Sequence, residues 1–343
     1  MSIRLCLTPR VHGVGGMVSF LHKLTASLET RGIQTTHDLR DFPYDAVLVI
    51  GGTRNLTGLW QAKRRGIPLV QRLNGMNWLH RKMKTGLRHT LRAEYGNGLL
   101  NLIRTRLATH IVYQSHFAQG WWERVYGKTP VPSTVIYNGV DLSQYTPDGP
   151  HTRPADRYRL LLVEGSLQGG YEMGLETAVQ LTQILVTNYQ LPVELMIVGK
   201  VSPTVQTTWN KKSSFPIQWA GLLPRERIPE MDRSAHLLYS ADLNAACPNS
   251  VIEALACGLP VAAFDTGALP ELVSPHAGRV VPYGGDPWQL TPPDVGALAK
   301  AAIEIIEAGE EMRNAARARA EEMFGVERMV EAYLRVLHST RGC

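Results

Sequence analysis

Two stretches of this sequence place ligand-holding residue types at spacings that could do chemistry. The first is RVHGVGGMVSF, residues 10–20, which follows a short apolar run and opens a helix-length segment. Gly13, Gly15 and Gly16 allow a tight turn and bring helix N-terminal N–H groups close to a phosphate or sugar. Asp38, about 20 residues on, has the spacing of a ribose ligand in a dinucleotide site. Val18, however, stands where GxGxxG needs its third small residue, and the glycines serve equally as a strand-to-helix turn. The second stretch is ACPNSVIEALACGLPVAAFDTGALPELV, residues 246–273. Pro248 and Asn249 read as a turn, Ser250 as the cap of a short helix, and Glu253, three residues later, as the partner in a capping box. Gly258 ends that helix and Leu259–Phe264 begins a buried strand. The Glu253 carboxylate either completes the cap or accepts hydrogen bonds from a ligand, and local physics alone favours the cap.

The elements that must position these residues follow one rhythm. Short β-rich runs alternate with helix-length segments: Ile3–Leu7, a helix over Val14–Arg31, Ala46–Ile50, Pro68–Gln71, His110–Tyr113 and Thr134–Ile136. After a polar, Pro-rich stretch at Asp141–Asp156 the alternation restarts with Tyr158–Val163, Val193–Val198, His236–Tyr239, Pro260–Phe264 and Arg279–Val281. Alternation of this kind predicts α/β architecture with two Rossmann-like, doubly wound parallel sheets. The length of 343 residues suits two cores. We expect a first domain over 1–145, a linker at 146–156, a second domain over 157–320 and a terminal helical segment over 321–343. Helical periodicity over Asp294–Leu337 breaks near Gly309 and Gly325.

Composition excludes several classes. At 44% hydrophobic and 19% charged residues the chain is neither disordered nor fibrous. No apolar run approaches the ~20 residues of a membrane span, and the first residues lack a secretory h-region, so a cytoplasmic protein is expected. The four cysteines (Cys6, Cys247, Cys257, Cys343) form no CxxC pair, which argues against a zinc site or a disulfide framework. The net charge of +6 hides an asymmetry: residues 1–150 hold 19 Lys/Arg against 8 Asp/Glu. A basic half suits phosphate-bearing partners. Nucleic acid is not expected, because no RRM, KH or helix-turn-helix pattern accompanies the charge.

The 246–273 stretch, Gly15-Gly16 after the first strand, YNGVDLSQYTP at 137–147 and FGVERMVEAYLRVL at 324–337 together resemble the retaining glycosyltransferases of family 4, which have the GT-B fold. The resemblance covers nearly the whole chain. It implies a nucleotide-diphosphate sugar as co-substrate, held mostly by the second domain in a cleft facing the first, with no metal, no further cofactor and a sugar or lipid-linked acceptor. It carries the donor to Gly15, Gly16, Asn138, Gly165, Ser166, Asn249, Ser250, Val251 and Glu253, with Glu253 accepting from the ribose hydroxyls. It also implies that the terminal helices cross back to the first domain.

Four positions depart from the family pattern. Ala245 replaces the first glutamate of the pair, Ser166 replaces an arginine, Gly169-Gly170-Tyr171 lies near an expected lysine, and Asn74 replaces a histidine after the fourth strand. Lys200 at the end of MIVGK, with Arg10 and Arg72 after strands of the first domain, are the replacement cations expected, and Asn74 and Lys200 the expected catalytic pair. Read as one helix, residues 80–107 place Arg81, Arg88 and Arg92 within ~40° of one another, with Lys84 nearby and Met83, Leu87 and Leu91 as an adjoining apolar stripe. That face is either a solvated surface or a contact with anionic lipid at a membrane. The alternatives to a transferase are a non-catalytic sugar- or nucleotide-binding protein and a two-domain dehydrogenase.

Overall fold

The computed structural model describes residues 3–13, 15–83, 86–167 and 172–339. Two compact units form, one from Met1–Gly139 with Gly325–Cys343, the other from Val140–Phe324. The divisions thus fall a few residues from the expected 145 and 320.

The first unit carries a six-stranded sheet of β1 (Arg4–Thr8), β2 (Gln34–Thr36), β3 (Ala46–Ile50), β4 (Leu69–Leu73), β5 (His110–Tyr113) and β6 (Ser133–Val135), in the order β2-β1-β3-β4-β5-β6. Every pairing is parallel. Strand β3, AVLVI, is buried at all five residues, as a strand covered on both faces by helices must be. The helix Gly16–Thr30 supplies Phe20, Leu21, Leu24 and Leu28 to the core over β1 and β3. The C-terminal helix Val326–Ser339 packs into the same core through Met329, Val330 and Tyr333, the last with its ring 5.1 Å from Phe20. Ser27 Oγ donates to Glu327 Oε1 at 3.3 Å and Arg31 pairs with the same carboxylate.

The second unit repeats the plan with β7 (Tyr158–Ser166), β8 (Val193–Lys200), β9 (Ile217–Gly221), β10 (Leu237–Tyr239), β11 (Val261–Phe264) and β12 (Gly278–Val281), ordered β12-β11-β10-β7-β8-β9 and parallel throughout. Residues 141–156 are bonded to this unit: Arg233 donates to the carbonyls of Thr146 (3.1 Å) and Pro150 (3.3 Å), and Arg317 to that of Tyr145 (2.7 Å). The long helix Val295–Met323 kinks at Gly309, whose φ of 53° and ψ of −125° leave the helical region. In each sheet the order reverses beside the first strand of the unit, between β1 and β3 and between β7 and β10. Ligands of open α/β sheets bind outside the strand C-termini at such a reversal.

Candidate functional site

At the reversal in the second unit the C-terminal ends of β7, β8 and β10 lie side by side. Strand β7 is irregular between Val163 and Ser166, after which Ser166 pairs directly with Lys200 at the end of β8. Gly199 makes this possible. Its φ is 149°, and a Cβ there would lie 2.2 Å from the Glu164 carbonyl oxygen, so no other residue fits. The close approach that Gly199 allows is therefore to the neighbouring strand. Gly165 and the Lys200 side chain are exposed, and Ser166 is half-buried. Lys200 is thus free to reach a ligand at this edge.

Sequence reasoning missed the carboxylates that share this edge. Burial, then the charge of Asp242, pushes Glu164 well above the usual carboxylate range, and burial pushes Asp242 up to about 6. The two compete for a proton because β10 neighbours β7, which no spacing along the chain reveals. Just beyond β10, Ser240 Oγ and Asn244 Nδ2 are buried with no hydrogen-bond partner. Buried polar atoms left in this state are costly unless a ligand or water satisfies them. Gln168–Tyr171, including the glycines near the expected lysine, fall outside the described residues.

The helix that carries Glu253 runs Asn249–Ala256, with Pro248 at its N-cap and no side-chain cap bond. This corrects the capping box: Ser250 is the second residue inside the helix and does not cap it, because the N-cap falls two residues earlier, at Pro248. Glu253 therefore completes no capping box. Asn249, Ser250 and Glu253 are half-buried and Val251 is fully buried against the core. Glu253 lies close enough to Asp232 that its charge, after burial itself, holds that buried acid well above its usual range. Ala245, at the position of the absent glutamate, is pinned by the next loop: its carbonyl accepts from Ala268 N at 2.9 Å, and a Cβ on Gly267 would meet its backbone at 2.6 Å. Among the described residues no group of three or more His, Cys, Asp or Glu is placed to hold a metal ion.

In the first unit Gly15 caps the helix Gly16–Thr30 with a φ of 136°. Arg10, after β1, is exposed. Arg72 corrects its expectation as a ligand-facing cation. It lies within β4, only 1% exposed, with its guanidinium 3.9 Å over the Phe20 ring. Its Nη1 donates to Asn74 Oδ1 at 2.7 Å and its Nη2 to Asn138 Oδ1 at 2.8 Å. In the orientation that satisfies the network, the Gln114 amide oxygen accepts from Nη2 at 2.7 Å. Trp122 Nε1 closes the cluster on the Asn74 carbonyl at 2.8 Å. Arg72 therefore positions Asn74 and Asn138 and is not available to grip a diphosphate.

The basic face is also rearranged. Arg81 lies in a 3-10 turn, Leu79–Arg81, and the helix starts only at Leu87, because Gly86 with φ 85° interrupts the run. Arg81 is committed to Glu94, Nε to Oε1 at 2.6 Å and Nη2 to Oε2 at 2.8 Å, and this pair draws Glu94 down to about 2. Lys84 lies outside the described residues. Arg88 and Arg92 remain exposed beside Leu87, Leu91 and Tyr95, which are 76%, 63% and 59% exposed. No described helix is long and apolar enough to cross a membrane.

With this geometry established, the comparisons with known proteins fall into one class. Solved structures that share the fold include sucrose-phosphate synthase from Thermosynechococcus elongatus (TM-score 0.74, 14% identity, 98% of each chain covered) and WaaG, a glycosyltransferase involved in lipopolysaccharide biosynthesis (TM-score 0.71, 14% identity, 98% of this chain and 99% of that one). The Anabaena protein Alr3699/HepE, solved with UDP-glucose, is similar at TM-score 0.67 and 16% identity, over 98% of this chain and all of that one. The two sheets are those of the GT-B glycosyltransferases. The profile of Glycosyltransferase Family 4 matches residues 35–144 and that of Glycosyl transferases group 1 matches residues 159–308. The chain belongs to this family and is a glycosyltransferase of the family 4, group 1 type. It is also 29% identical over 122 residues to 2-deoxystreptamine N-acetyl-D-glucosaminyltransferase from Streptomyces fradiae, a match that spans 34% of this chain and only 27% of that relative.

Proposed function

We propose that the second unit binds a nucleotide-diphosphate hexose and that the chain transfers the sugar, with retention and without a metal or further cofactor, to an acceptor held by the first unit. The observation that carries this reading is the place of Glu253: a half-buried carboxylate on a short helix that follows the strand end of β10. An ionised carboxylate is acceptor-only, which suits a pair of ribose hydroxyls. The leaving diphosphate takes its charge stabilisation from Lys200, the exposed cation at the strand edge, and from backbone N–H groups at Gly165, Ser166 and the start of the Asn249–Ala256 helix. The protein's contribution is positioning and electrostatics. In the first unit Asn74, held by Arg72, offers its amide to the reacting groups, and Gly15 and Gly16 leave room for the ligand at the turn after β1.

The exposed apolar stripe of Leu87, Leu91 and Tyr95 beside Arg88 and Arg92 supports a lipid-linked acceptor reached at an anionic membrane surface, with the protein on its cytoplasmic side. Glu253→Gln tests the donor site. It loses the charge of the acceptor at a cost of roughly 1.5 to 3 kcal/mol, or about ten- to a hundredfold in nucleotide affinity, while the melting temperature stays within a degree or two. Equal nucleotide affinity in this variant removes Glu253 from the site. Wild-type protein that shows no turnover, and binds UDP, GDP and ADP no better than their nucleosides, establishes the non-catalytic alternative.

A further inference from the structure

A cavity of about 370 Å³ opens in the first unit, lined by Arg54, Asn77, His89, Arg92, Tyr95 and neighbouring small and apolar residues. Among the described residues no carboxylate lines it. Arg54 comes from the loop between β3 and the helix Leu56–Arg64, and Arg92 from the helix Leu87–Leu102, so two distant segments each contribute an arginine to the lining of one space. Both arginines are exposed and neither makes an ion pair or side-chain hydrogen bond among the described residues. The contrast with Arg81 is informative. The only acidic residue of the same helix, Glu94, is consumed by Arg81 and by His80, whose Nε2 lies 2.9 Å from Oε1. The cavity wall is fixed rather than loose: Asn77 N donates to Asn97 Oδ1 at 3.1 Å, and Asn97 Nδ2 donates back to the Asn77 carbonyl at 2.8 Å.

Two like charges converging on a concave surface repel each other, and the arrangement is relieved by an anion that both can share. Guanidinium groups match the oxygens of a phosphate two at a time, and the Tyr95 hydroxyl and Asn77 amide add neutral donors. Along the outer face of the same helix, Leu91 and Leu87 continue from Tyr95 at four-residue spacing, exposed. We infer that this cavity is a binding site for a phosphate ester, gripped by Arg54 and Arg92, and that on the glycosyl-transfer reading it holds the phosphate of the acceptor. The phosphate can belong to a soluble ester or to a lipid headgroup whose chain follows the Leu87–Leu91 stripe.

Calorimetry with glycerol 3-phosphate and with short-chain dihexanoyl phosphatidic acid distinguishes these sources. Wild-type protein binds at least one probe, and the double variant Arg54→Gln/Arg92→Gln weakens that binding tenfold or more. Arg124→Gln, which removes an exposed cation elsewhere in the first unit, changes it less than twofold. Equal binding of both probes identifies a soluble phosphate ester, and binding of the lipid probe alone identifies a headgroup. Wild type that binds neither probe, or a double variant that binds as wild type does, overturns the inference. Both arginines are exposed, so the variant folds, which its unchanged melting curve verifies. The readout involves no donor and no turnover. Glu253→Gln leaves it intact, so failure here and failure of the donor site are told apart.

Discussion

Replacing Asp242 with asparagine should remove one pH-dependent contribution to the stability of the second unit, leaving in place those of Glu164, Asp232 and His236 that the variant shares with the wild type. Burial raises the Asp242 carboxyl from 3.8 to about 6. Between those values the folded protein keeps a proton that the unfolded chain has released, so wild-type stability falls as pH rises through this window and levels off above about 6. The displacement of about two pH units, at ~1.36 kcal/mol per unit, sets an upper limit of about 3 kcal/mol. Asp242 keeps some solvent contact, which reduces the expected change to about 1 to 3 kcal/mol. Asparagine carries no charge at any pH and escapes this loss. Urea unfolding at pH 4.5, 5.5, 6.5 and 7.5 should show Asp242→Asn about equal to wild type at the lowest pH and more stable at the highest. The depressed carboxylate Glu94 titrates near 2, below the window, and does not interfere. A stability difference that is constant across the series, or that shrinks as pH rises, refutes the reasoning. If the carboxylate serves the ligand, the more stable variant will also bind nucleotide sugar less well, since strain at such an edge is retained for function.

Other outcomes follow from the same geometry. Lys200→Ala should lower nucleotide-sugar turnover about tenfold or more, because a charge-assisted contact is worth roughly 1.5 to 3 kcal/mol, whereas Lys300→Ala on the helix Val295–Met323 should not. Gly199→Ala forces a Cβ to within 2.2 Å of the Glu164 carbonyl and should cost more than ~1 kcal/mol in urea unfolding while weakening donor binding, since Ser166 and Lys200 shift with the strand ends. Arg104 is fully buried and donates to Tyr113 Oη at 2.9 Å and to the Gly127 carbonyl at 2.8 Å. Arg104→Met should therefore destabilise the first unit by roughly 1.5 to 3 kcal/mol or more without changing nucleotide affinity in the second.

What the sequence made legible was whatever leaves a continuous apolar run or a turn residue. Ala46–Ile50 and His110–Tyr113 form strands over the very residues expected, and Gly15 turns the chain into its helix. The strands that escaped notice, Gln34–Thr36 and Ile217–Gly221, lie at sheet edges, where one side faces no neighbouring strand and few residues are fully buried. At the site the failures share a cause: each depended on a neighbour far away in sequence. Arg72 is expected as a ligand-facing cation because it follows a strand, yet Asn74, Gln114 and Asn138 converge on it from the ends of three different strands. Arg81 and Arg92 share a charge and a wheel position, but Glu94 takes one and leaves the other to the cavity. Glu164 meets Asp242 only because β10 lies beside β7. Periodicity and turn residues show which strand ends bear polar groups. Whether such a group serves a ligand or the fold is decided by which strand lies next to it, so the functional reading of Lys200 and Arg54 rests on the ion pairs they lack among the described residues, and that of Glu253 on its place in the helix Asn249–Ala256.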